Sequence, residues 1–279
     1  MIYELKDLKL YYTIEGEGVP ILMLHGRPTD HHAMVGAFEP IFSDRNDWQR
    51  IYIDLPGMGA TQGGSWINGN KDIVEVLLSF IDEVLGKQPF AIAGFSYGGY
   101  LTRGLLHLRA SQTVGALLLV PAMEAGEERN APENAAYFGD ETALFDRYPQ
   151  PFADQFKQIT MVHEAAVIDR MGEILQGLQA ADHEFNRRIE ENYTLPYPLE
   201  HSPANYDRPM LILTGKQDIV TGFETANEWH KQFPHATFVC LDRAGHGLHM
   251  EQPTLFNALV NDWLNRMEES MQQIGRNKR

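Results

Sequence analysis

The sequence predicts an α/β protein with a doubly wound, mostly parallel central sheet and an inserted helical cap. Three observations predict this class. Six short apolar runs have the character of strands covered on both faces, helical periodicity fills most of the intervals between them, and one long interval carries helical patterns alone. Strands that alternate with helices are joined by right-handed crossovers, and such crossovers build a doubly wound sheet.

The predicted strands are of two kinds. Residues 1–15 alternate apolar and polar side chains, which predicts two short antiparallel strands. The continuous apolar runs that predict the central strands are 21–24, 51–53, 90–93, 116–120, 210–213 and 238–241. Cys240, the single cysteine, lies in the last run, so we expect a packed and inert thiol.

The helical patterns lie between these runs and in one insertion. Between strands they occur at 31–43, 70–85, 97–109, 222–233 and 252–272, and within the insertion at 141–147, 152–160 and 161–190. Open α/β sheets bind ligands at the carboxyl ends of their strands, so we expect the insertion to cover that crevice. The predicted domains are a core of residues 1–121 and 206–279 and a helical cap of 122–205. The alternative is an insert that is decorative or serves dimerisation.

Composition and charge exclude several classes of partner. The 279 residues include 38 Asp and Glu against 23 Lys and Arg, a formal net charge of −15. Surfaces that bind nucleic acid or anionic lipid need the opposite balance, and no apolar run approaches the roughly 18 residues of a membrane span. One cysteine excludes an internal disulfide, and no apolar signal segment opens the chain. We expect a cytoplasmic protein with a small-molecule substrate and neither nucleic-acid nor membrane partners, and we leave a homodimer open.

The strongest local motif surrounds Ser96. The segment Ala-Gly-Phe-Ser-Tyr-Gly-Gly-Tyr at 93–100 directly follows one apolar run and precedes a helical pattern. A serine at a sharp strand-to-helix turn has a strained backbone, and Gly94 and Gly98 relieve the crowding around it. The helix N-terminus favours a developing anion beside the hydroxyl. Ser96 is therefore the predicted nucleophile.

A serine nucleophile needs a base, and the base needs an orienting acid. His246 is the predicted base because it follows the last apolar run and glycines flank it. Asp218 follows the preceding run and is the predicted acid, the alternative being that it caps the next helix. His249 is a weaker candidate for the base, and Asp242 and Glu124 are reserve candidates for the acid.

Acyl transfer also needs two backbone N–H donors for the oxyanion. One is predicted at Tyr97, directly after the nucleophile. The other is predicted at Arg27, in the segment His-Gly-Arg-Pro that follows the first central run. The alternative for that segment is an ordinary turn in which Pro28 begins the next helix.

These motifs, in the order Ser96, Asp218 and His246 with an upstream His-Gly loop, resemble the α/β-hydrolase family over residues 8–270. Residues 54–59 resemble that family's Asp-x-x-Gly-x-Gly turn, and 251–253 its Glu-x-Pro start of the final helix. The resemblance implies the α/β-hydrolase fold and a serine hydrolase that acts through an acyl-enzyme. The sequence has no metalloprotease His pair, phosphate-cradling glycine loop or dinucleotide fingerprint, so we expect no metal and no cofactor.

The expected substrate is a small, largely apolar ester or related carbonyl compound. The serine at the strand-to-helix turn, Ser96, distinguishes the chain from haloalkane dehalogenases and epoxide hydrolases, which have Asp at that position. Proline iminopeptidases and carbon–carbon bond hydrolases use the same triad and stay open, as does a non-catalytic ligand-binding protein of this fold. The Arg27 side chain either pairs with a substrate carboxylate or faces solvent. A pocket would draw on some of the cap's aromatic and methionine side chains, most of them forming the cap's own core: Met123, Tyr137, Phe138, Phe145, Phe152, Phe156 and Met161.

Overall fold

A computed structural model of the protein describes residues 1–123, 132, 135–140, 142–175 and 178–277. Its strands are β1 (Ile2–Leu5), β2 (Leu8–Glu15), β3 (Val19–Leu24), β4 (Trp48–Ile53), β5 (Phe90–Phe95), β6 (Thr113–Leu119), β7 (Met210–Gly215) and β8 (Ala236–Leu241). Its α-helices are α1 (His31–Phe42), α2 (Asn70–Phe80), α3 (Tyr97–Arg109), α4 (Gln150–Ile159), α5 (Ala165–Leu175), α6 (His183–Glu191), α7 (Glu224–His230), α8 (Leu248–Glu251) and α9 (Pro253–Asn277). A π-helical turn, Ile81–Leu85, continues α2, and a 3-10 helix, Thr142–Arg147, precedes α4.

The eight strands form one sheet in the order β1-β2-β4-β3-β5-β6-β7-β8. The pairs β1–β2 and β2–β4 are antiparallel, and the pairs from β4–β3 to β7–β8 are parallel. This confirms the predicted mostly parallel sheet with an antiparallel N-terminal pair. The carboxyl ends of the parallel strands therefore share one edge of the sheet, where ligands bind in such folds.

Strand β3 shows how the sheet divides the core into two layers. Leu22 and Leu24 pack on one face, with the buried sides of α2 and α3. Ile21 and Met23 pack on the other face, with α1 and α9. Alternate side chains of a strand point to opposite faces, so a strand covered by helices on both sides reads as one continuous apolar run.

Strand β8 departs from the prediction of a fully covered strand. It lies at the edge of the sheet, and all six of its residues are only partly buried. Cys240 is accordingly half-buried rather than enclosed in the core. Burial raises the pKa of the Cys240 thiol, which keeps it protonated and unreactive at neutral pH.

The predicted helix at 161–190 is two helices. α5 ends at Leu175, and α6 begins after Asp182, whose side chain accepts a hydrogen bond from the backbone N–H of Phe185. The final pattern at 252–272 is the short α8 followed by α9, which extends to Asn277. Elsewhere the predicted helices agree with the observed ones to within three residues at each end, apart from the π-helical end of the 70–85 pattern.

Helices α4, α5 and α6 lie between β6 and β7, and we call them the insert helices. Helices α4 and α5 share a small core with the 3-10 helix and Met250 of α8, which includes Phe145, Ala153, Val167 and Ile168. Helix α6 packs instead against the main core, through Phe185 and Ile189. α5 also lies against α1, where a Cβ on Gly36 would be 2.8 Å from Ile174 Cγ1. No helix in the part of the chain that the structure describes is long and apolar enough to cross a membrane.

Candidate active site

Ser96 lies at the turn between β5 and α3. Its φ is 53° and its ψ is −113°, a region in which a side chain strains the backbone. Glycines on both sides permit the turn: a Cβ on Gly94 would be 2.4 Å from the carbonyl oxygen of Gly98, and one on Gly98 would be 2.1 Å from that of Leu24. The tight packing at Gly94 and Gly98 therefore sets Ser96 at the carboxyl end of β5, above the N-terminus of α3.

The structure brings the three predicted triad side chains together. His246 Nε2 lies 2.9 Å from Ser96 Oγ, and His246 Nδ1 lies 2.9 Å from Asp218 Oδ2. The histidine follows β8 and the aspartate follows β7, so both reach the same sheet edge as the serine. A neutral imidazole with its proton on Nδ1 donates to Asp218 and accepts from the serine hydroxyl. This arrangement can remove a proton from Oγ.

Asp218 is buried and held by several hydrogen bonds. Its Oδ1 accepts from the backbone N–H groups of Val220 and Thr221 at 2.8 and 3.1 Å, and its Oδ2 accepts from the Thr221 hydroxyl at 2.8 Å. Burial alone would raise the pKa of Asp218, but the facing His246 and these hydrogen bonds outweigh burial and lower it. The helix-capping alternative is wrong, because α7 begins at Glu224 and Asp218 closes its own turn instead.

Glu251 fixes the loop that carries His246, a contact that sequence reasoning missed. Its Oε2 accepts from the backbone N–H of Gly245 at 2.7 Å, and its Oε1 accepts from those of Met161 and Val162. Burial raises the pKa of Glu251 to about 7. The Glu-x-Pro match identified the position as a helix start, but two of its three partners, Met161 and Val162, lie 90 and 89 residues away along the chain, and no local signal shows them.

Two of the weaker candidates for the triad, His249 and Asp242, lie outside the contact between Ser96, His246 and Asp218. His249, in α8, lies with its ring 5.4 Å from that of Phe95, and burial lowers its pKa to about 3, so the ring is neutral. Asp242 faces Lys216 at 3.7 Å and its side chain is 68% exposed, so the structure pairs Asp218 with the histidine instead. Glu124 lies outside the described residues.

The His-Gly-Arg-Pro segment is a shaped loop after β3. His25 Nε2 accepts from the backbone N–H of Leu55 at 2.9 Å, so its Nδ1 carries the proton and donates to the Gly26 carbonyl at 2.8 Å. Thr29 donates to the same carbonyl through its backbone N–H and its hydroxyl. In a trans peptide the N–H points opposite to the carbonyl, so the N–H of Arg27 is directed away from this turn.

This loop lies directly against Ser96, the predicted nucleophile. A Cβ on Gly26 would be 3.0 Å from Ser96 Cβ. Tyr97 is the first residue of α3, where a backbone N–H has no acceptor within the helix. The alternative that Pro28 begins a helix is wrong, because α1 begins at His31 after the N-cap Asp30.

The side chain of Arg27 folds inward rather than into solvent. It is 15% exposed, its Cζ lies 4.0 Å from the centroid of the Tyr97 ring, and its Nη1 lies 3.4 Å from Glu190 Oε1. Its Nε and Nη2 atoms are buried and have no hydrogen-bond partner among the described residues. Of the two expectations for Arg27, a side chain that faces solvent is wrong, because the guanidinium is largely enclosed at the site. Pairing with a substrate carboxylate stays a prediction.

A cavity of about 190 Å³ opens beside Ser96 and His246. Part of its apolar lining comes from α4, α5 and the segment after α6, which supply Phe156, Ile159, Met171, Ile174 and Tyr193, and part from the core, including Met250 of α8. Of the insert side chains predicted from the sequence, Phe156 lines the cavity, Phe145 and Met161 are buried elsewhere, and the side chain of Phe152 lies outside the described residues. Sequence reasoning missed Met171 and Ile174, although their i, i+3 spacing on α5 indicates a shared face.

One cluster has the residue types of a metal site. The ligand atoms of Asp30, His31 and His32 lie within 4.8 Å of one another. Each has a protein partner: Asp30 accepts from the backbone N–H groups of His32 and Gln179, and His31 Nδ1 contacts Asp54 Oδ1 at 2.7 Å. These contacts account for the cluster as the cap of α1, and we assign it no metal.

The chain resembles known proteins along most of its length. Residues 21–259 match the model of the Alpha/beta hydrolase family. The chain is 23% identical over 270 residues to the AB hydrolase superfamily protein YisY of Bacillus subtilis, a match that covers 90% of this chain and 93% of that protein. It is 22% identical over 269 residues to the 2-hydroxy-6-oxononadienedioate/2-hydroxy-6-oxononatrienedioate hydrolase of Paraburkholderia phymatum, covering 92% of this chain and 91% of that protein.

A solved structure matches the fold closely. The crystal structure of an alpha/beta superfamily hydrolase from Oenococcus oeni PSU-1 superposes with a TM-score of 0.85 and 26% sequence identity. The match covers 96% of this chain and 99% of that one. The sheet, the flanking helices and the helices between β6 and β7 thus have a counterpart of nearly the same length.

Proposed function

The chain belongs to the α/β hydrolase family and is an enzyme, and on that premise we propose that it is a serine hydrolase acting through an acyl-enzyme. The substrate is a small, largely apolar ester or related carbonyl compound. The observation that carries this proposal is the continuous contact from Ser96 Oγ through His246 to Asp218, with both distances at 2.9 Å.

In the first half of the reaction, Ser96 Oγ attacks the carbonyl carbon while His246 Nε2 takes its proton. The carbonyl oxygen becomes an oxyanion, and the backbone N–H groups of Arg27 and Tyr97 are the proposed donors to it. The tetrahedral intermediate collapses when His246 returns the proton to the leaving alkoxide. An alcohol departs, and the acyl group stays on Ser96.

In the second half, a water molecule gives a proton to His246 and attacks the acyl carbon. Collapse of this intermediate returns the proton to Ser96 and releases a carboxylic acid. Asp218 remains ionised throughout because its pKa is lowered, and it stabilises the imidazolium that forms twice in each cycle.

The cavity supports the size and polarity of the proposed substrate. Its volume of about 190 Å³ is smaller than the about 300–1,000 Å³ of pockets for drug-sized ligands. Its walls near Ser96 are largely apolar, which favours a short hydrocarbon acyl group. Since α4 and α5 supply much of this lining, we extend the proposal to residues 122–205 as a cap unit over the core of 1–121 and 206–279.

The proposal also includes a second candidate reaction and a cellular compartment. The name of the Paraburkholderia phymatum relative favours carbon–carbon bond hydrolysis as a second candidate on the same triad. The single cysteine is consistent with the cytoplasm, the proposed compartment, where disulfides are rare.

The test is labelling with a fluorophosphonate probe, followed by turnover of a substrate panel. We expect the wild-type protein to be labelled and Ser96→Ala to be unlabelled, with turnover lowered by about three or more orders of magnitude. Ser43→Ala, a change of an exposed serine at the end of α1, is the matched control and should behave as wild type.

The panel compares nitrophenyl esters of short acids, prolyl amides and vinylogous diketones. A preference for short esters supports the proposal. A preference for prolyl amides or diketones would replace it with an iminopeptidase or a carbon–carbon hydrolase, and the absence of both labelling and turnover would indicate a ligand-binding protein.

A further inference from the structure

We propose that the substrate carries a second, ionised carboxylate and that the guanidinium of Arg27 binds it. This inference rests on the proposed function and narrows its substrate to monoesters of small dicarboxylic acids, or carbonyl compounds of equivalent charge. Arg27 is the one Lys or Arg among the described residues that line the cavity beside Ser96.

The hydrogen bonding of Arg27 is incomplete. Nη1 is 3.4 Å from Glu190 Oε1, whose side chain is 67% exposed, so this ion pair is long and largely solvated. Nε and Nη2 are buried without a hydrogen-bond partner among the described residues. Charged donors buried in this way carry a large desolvation cost unless a partner satisfies them. The protein therefore holds a cation at the site with two of its three nitrogens, Nε and Nη2, unsatisfied.

The two unsatisfied nitrogens define which ligand fits. Nε and Nη2 share one edge of the planar guanidinium, and the spacing of their hydrogens matches the two oxygens of a carboxylate. The guanidinium lies over the Tyr97 ring, 4.0 Å from Cζ to the ring centroid, and this cation–π contact helps to hold the group at the site. A carboxylate that binds this edge replaces no hydrogen bond of Nε or Nη2. Because both atoms are closed to water in this structure, the Arg27 side chain must turn toward the cavity to bind it.

Arg27 contributes to both the proposed carboxylate-binding site and the proposed oxyanion site. Its own backbone N–H and that of Tyr97 are the proposed oxyanion donors, and its side chain extends from the same point over Tyr97. A substrate held by the carboxylate at one end thus presents its ester carbonyl close to Ser96 at the other. The cavity volume of about 190 Å³ limits the chain between the two groups to a short one.

Glu190 is the anion that a substrate carboxylate must compete with. It lines the same cavity and contacts the same guanidinium. Because like charges repel, Glu190 weakens the binding of an anionic substrate, and its exposed position lets it turn toward solvent when the carboxylate arrives. Its removal should strengthen the proposed interaction.

The experiment measures a ratio of kcat/KM values for two esters of equal length. One is the nitrophenyl monoester of glutaric acid, which carries a carboxylate, and the other is nitrophenyl valerate, which does not. We expect the wild-type enzyme to prefer the anionic ester and Arg27→Met to lower the ratio about 10- to 100-fold, mainly through KM, because a hydrogen-bonded charge pair is lost. Arg27→Lys should keep part of the preference, since it retains the charge without the bidentate edge.

Two further variants test whether the kcat/KM ratio can be raised and provide a control. Glu190→Gln should raise the ratio, whereas Arg187→Met removes an exposed positive charge on α6, outside this cavity, and should leave it unchanged. A wild-type preference for nitrophenyl valerate, or equal losses on both esters in Arg27→Met, would overturn the inference while leaving the serine hydrolase intact. Turnover that survives in Ser96→Ala would instead overturn the proposed function.

Discussion

The carboxylate of Glu251 accepts a hydrogen bond of 2.7 Å from the backbone N–H of Gly245, the residue before His246. The same carboxylate accepts from the backbone N–H groups of Met161 and Val162, just after α4. His246 adds a second tie, because its own N–H donates to the Ile159 carbonyl at 3.0 Å. The loop that carries His246, the proposed base, is therefore held in place partly by residues of the helical insertion.

Glu251 should make stability fall as pH rises from about 4.5 to about 7. Its pKa in the folded protein is raised by burial to about 7, so the folded state binds more protons than the unfolded state across that window. The full effect is about 3 kcal/mol at most. Comparing the free energy of unfolding of wild type and Glu251→Gln at several pH values isolates the contribution of Glu251 ionisation to stability.

The Glu251→Gln difference should change with pH only inside that window. Glu75→Gln, a change of an exposed residue on α2 that pairs with Lys71, provides the control and should show no such dependence. A difference between wild type and Glu251→Gln that is constant from pH 4.5 to 7 would contradict the assignment.

Asp218→Asn should lower kcat by about three to four orders of magnitude while the fold persists. An amide cannot stabilise the imidazolium, and it favours the wrong tautomer of His246. Asp242→Asn is the matched control because that side chain is exposed and faces Lys216, and it should retain activity. Steady-state kinetics measures kcat of both variants, and thermal unfolding checks that both are folded. A larger loss of kcat in Asp242→Asn than in Asp218→Asn would assign the acid of the triad to Asp242 instead.

Gly98→Ala should destabilise the protein by more than about 3 kcal/mol or prevent folding. Its Cβ would lie 2.1 Å from the Leu24 carbonyl oxygen, and backbone on both sides leaves no room to relax. At Gly86 the φ is +58°, yet a Cβ would meet no atom within 4 Å, so Gly86→Ala isolates the cost of backbone strain. Urea unfolding of the two variants should show a much smaller loss for Gly86→Ala, and equal losses would argue against tight packing at the elbow.

Ile174→Ala should shift the preferred ester toward longer acyl chains. Ile174 lines the cavity from α5, and its truncation adds space beside the acyl group. We expect the ratio of kcat/KM for hexanoate over acetate esters to rise about tenfold. Leu144→Ala removes a side chain that packs in the insert core without lining the cavity, and an equal shift in that variant would point to general loosening.

The sheet and the turn at Ser96 could be predicted because their signals are local. Continuous apolar runs mark strands covered on two faces, and the elbow at Ser96 depends on residues within two positions of it. The edge strand was predicted less well: the run around Cys240 resembles the central runs, but a strand's place in the sheet depends on its neighbours, and β8 has only β7 beside it.

The contacts around the site could not be predicted, because they join segments far apart in the chain. Asp218 and Asp242 both follow strands, and the packing of those strands decides that Asp218 faces His246. The residues of the helical insertion that line the cavity could not be predicted, because they depend on how α5 packs against α1.

The sequence by itself determined the order of strands and helices, the serine elbow and the set of candidate polar residues, because periodicity and glycine spacing act over a few residues. Only the tertiary structure decided that Arg27 lies buried over Tyr97 with two nitrogens unsatisfied, and that Glu251 ties the His246 loop to the insertion. The physical reason is that burial and hydrogen bonding across the core depend on which distant segments pack together.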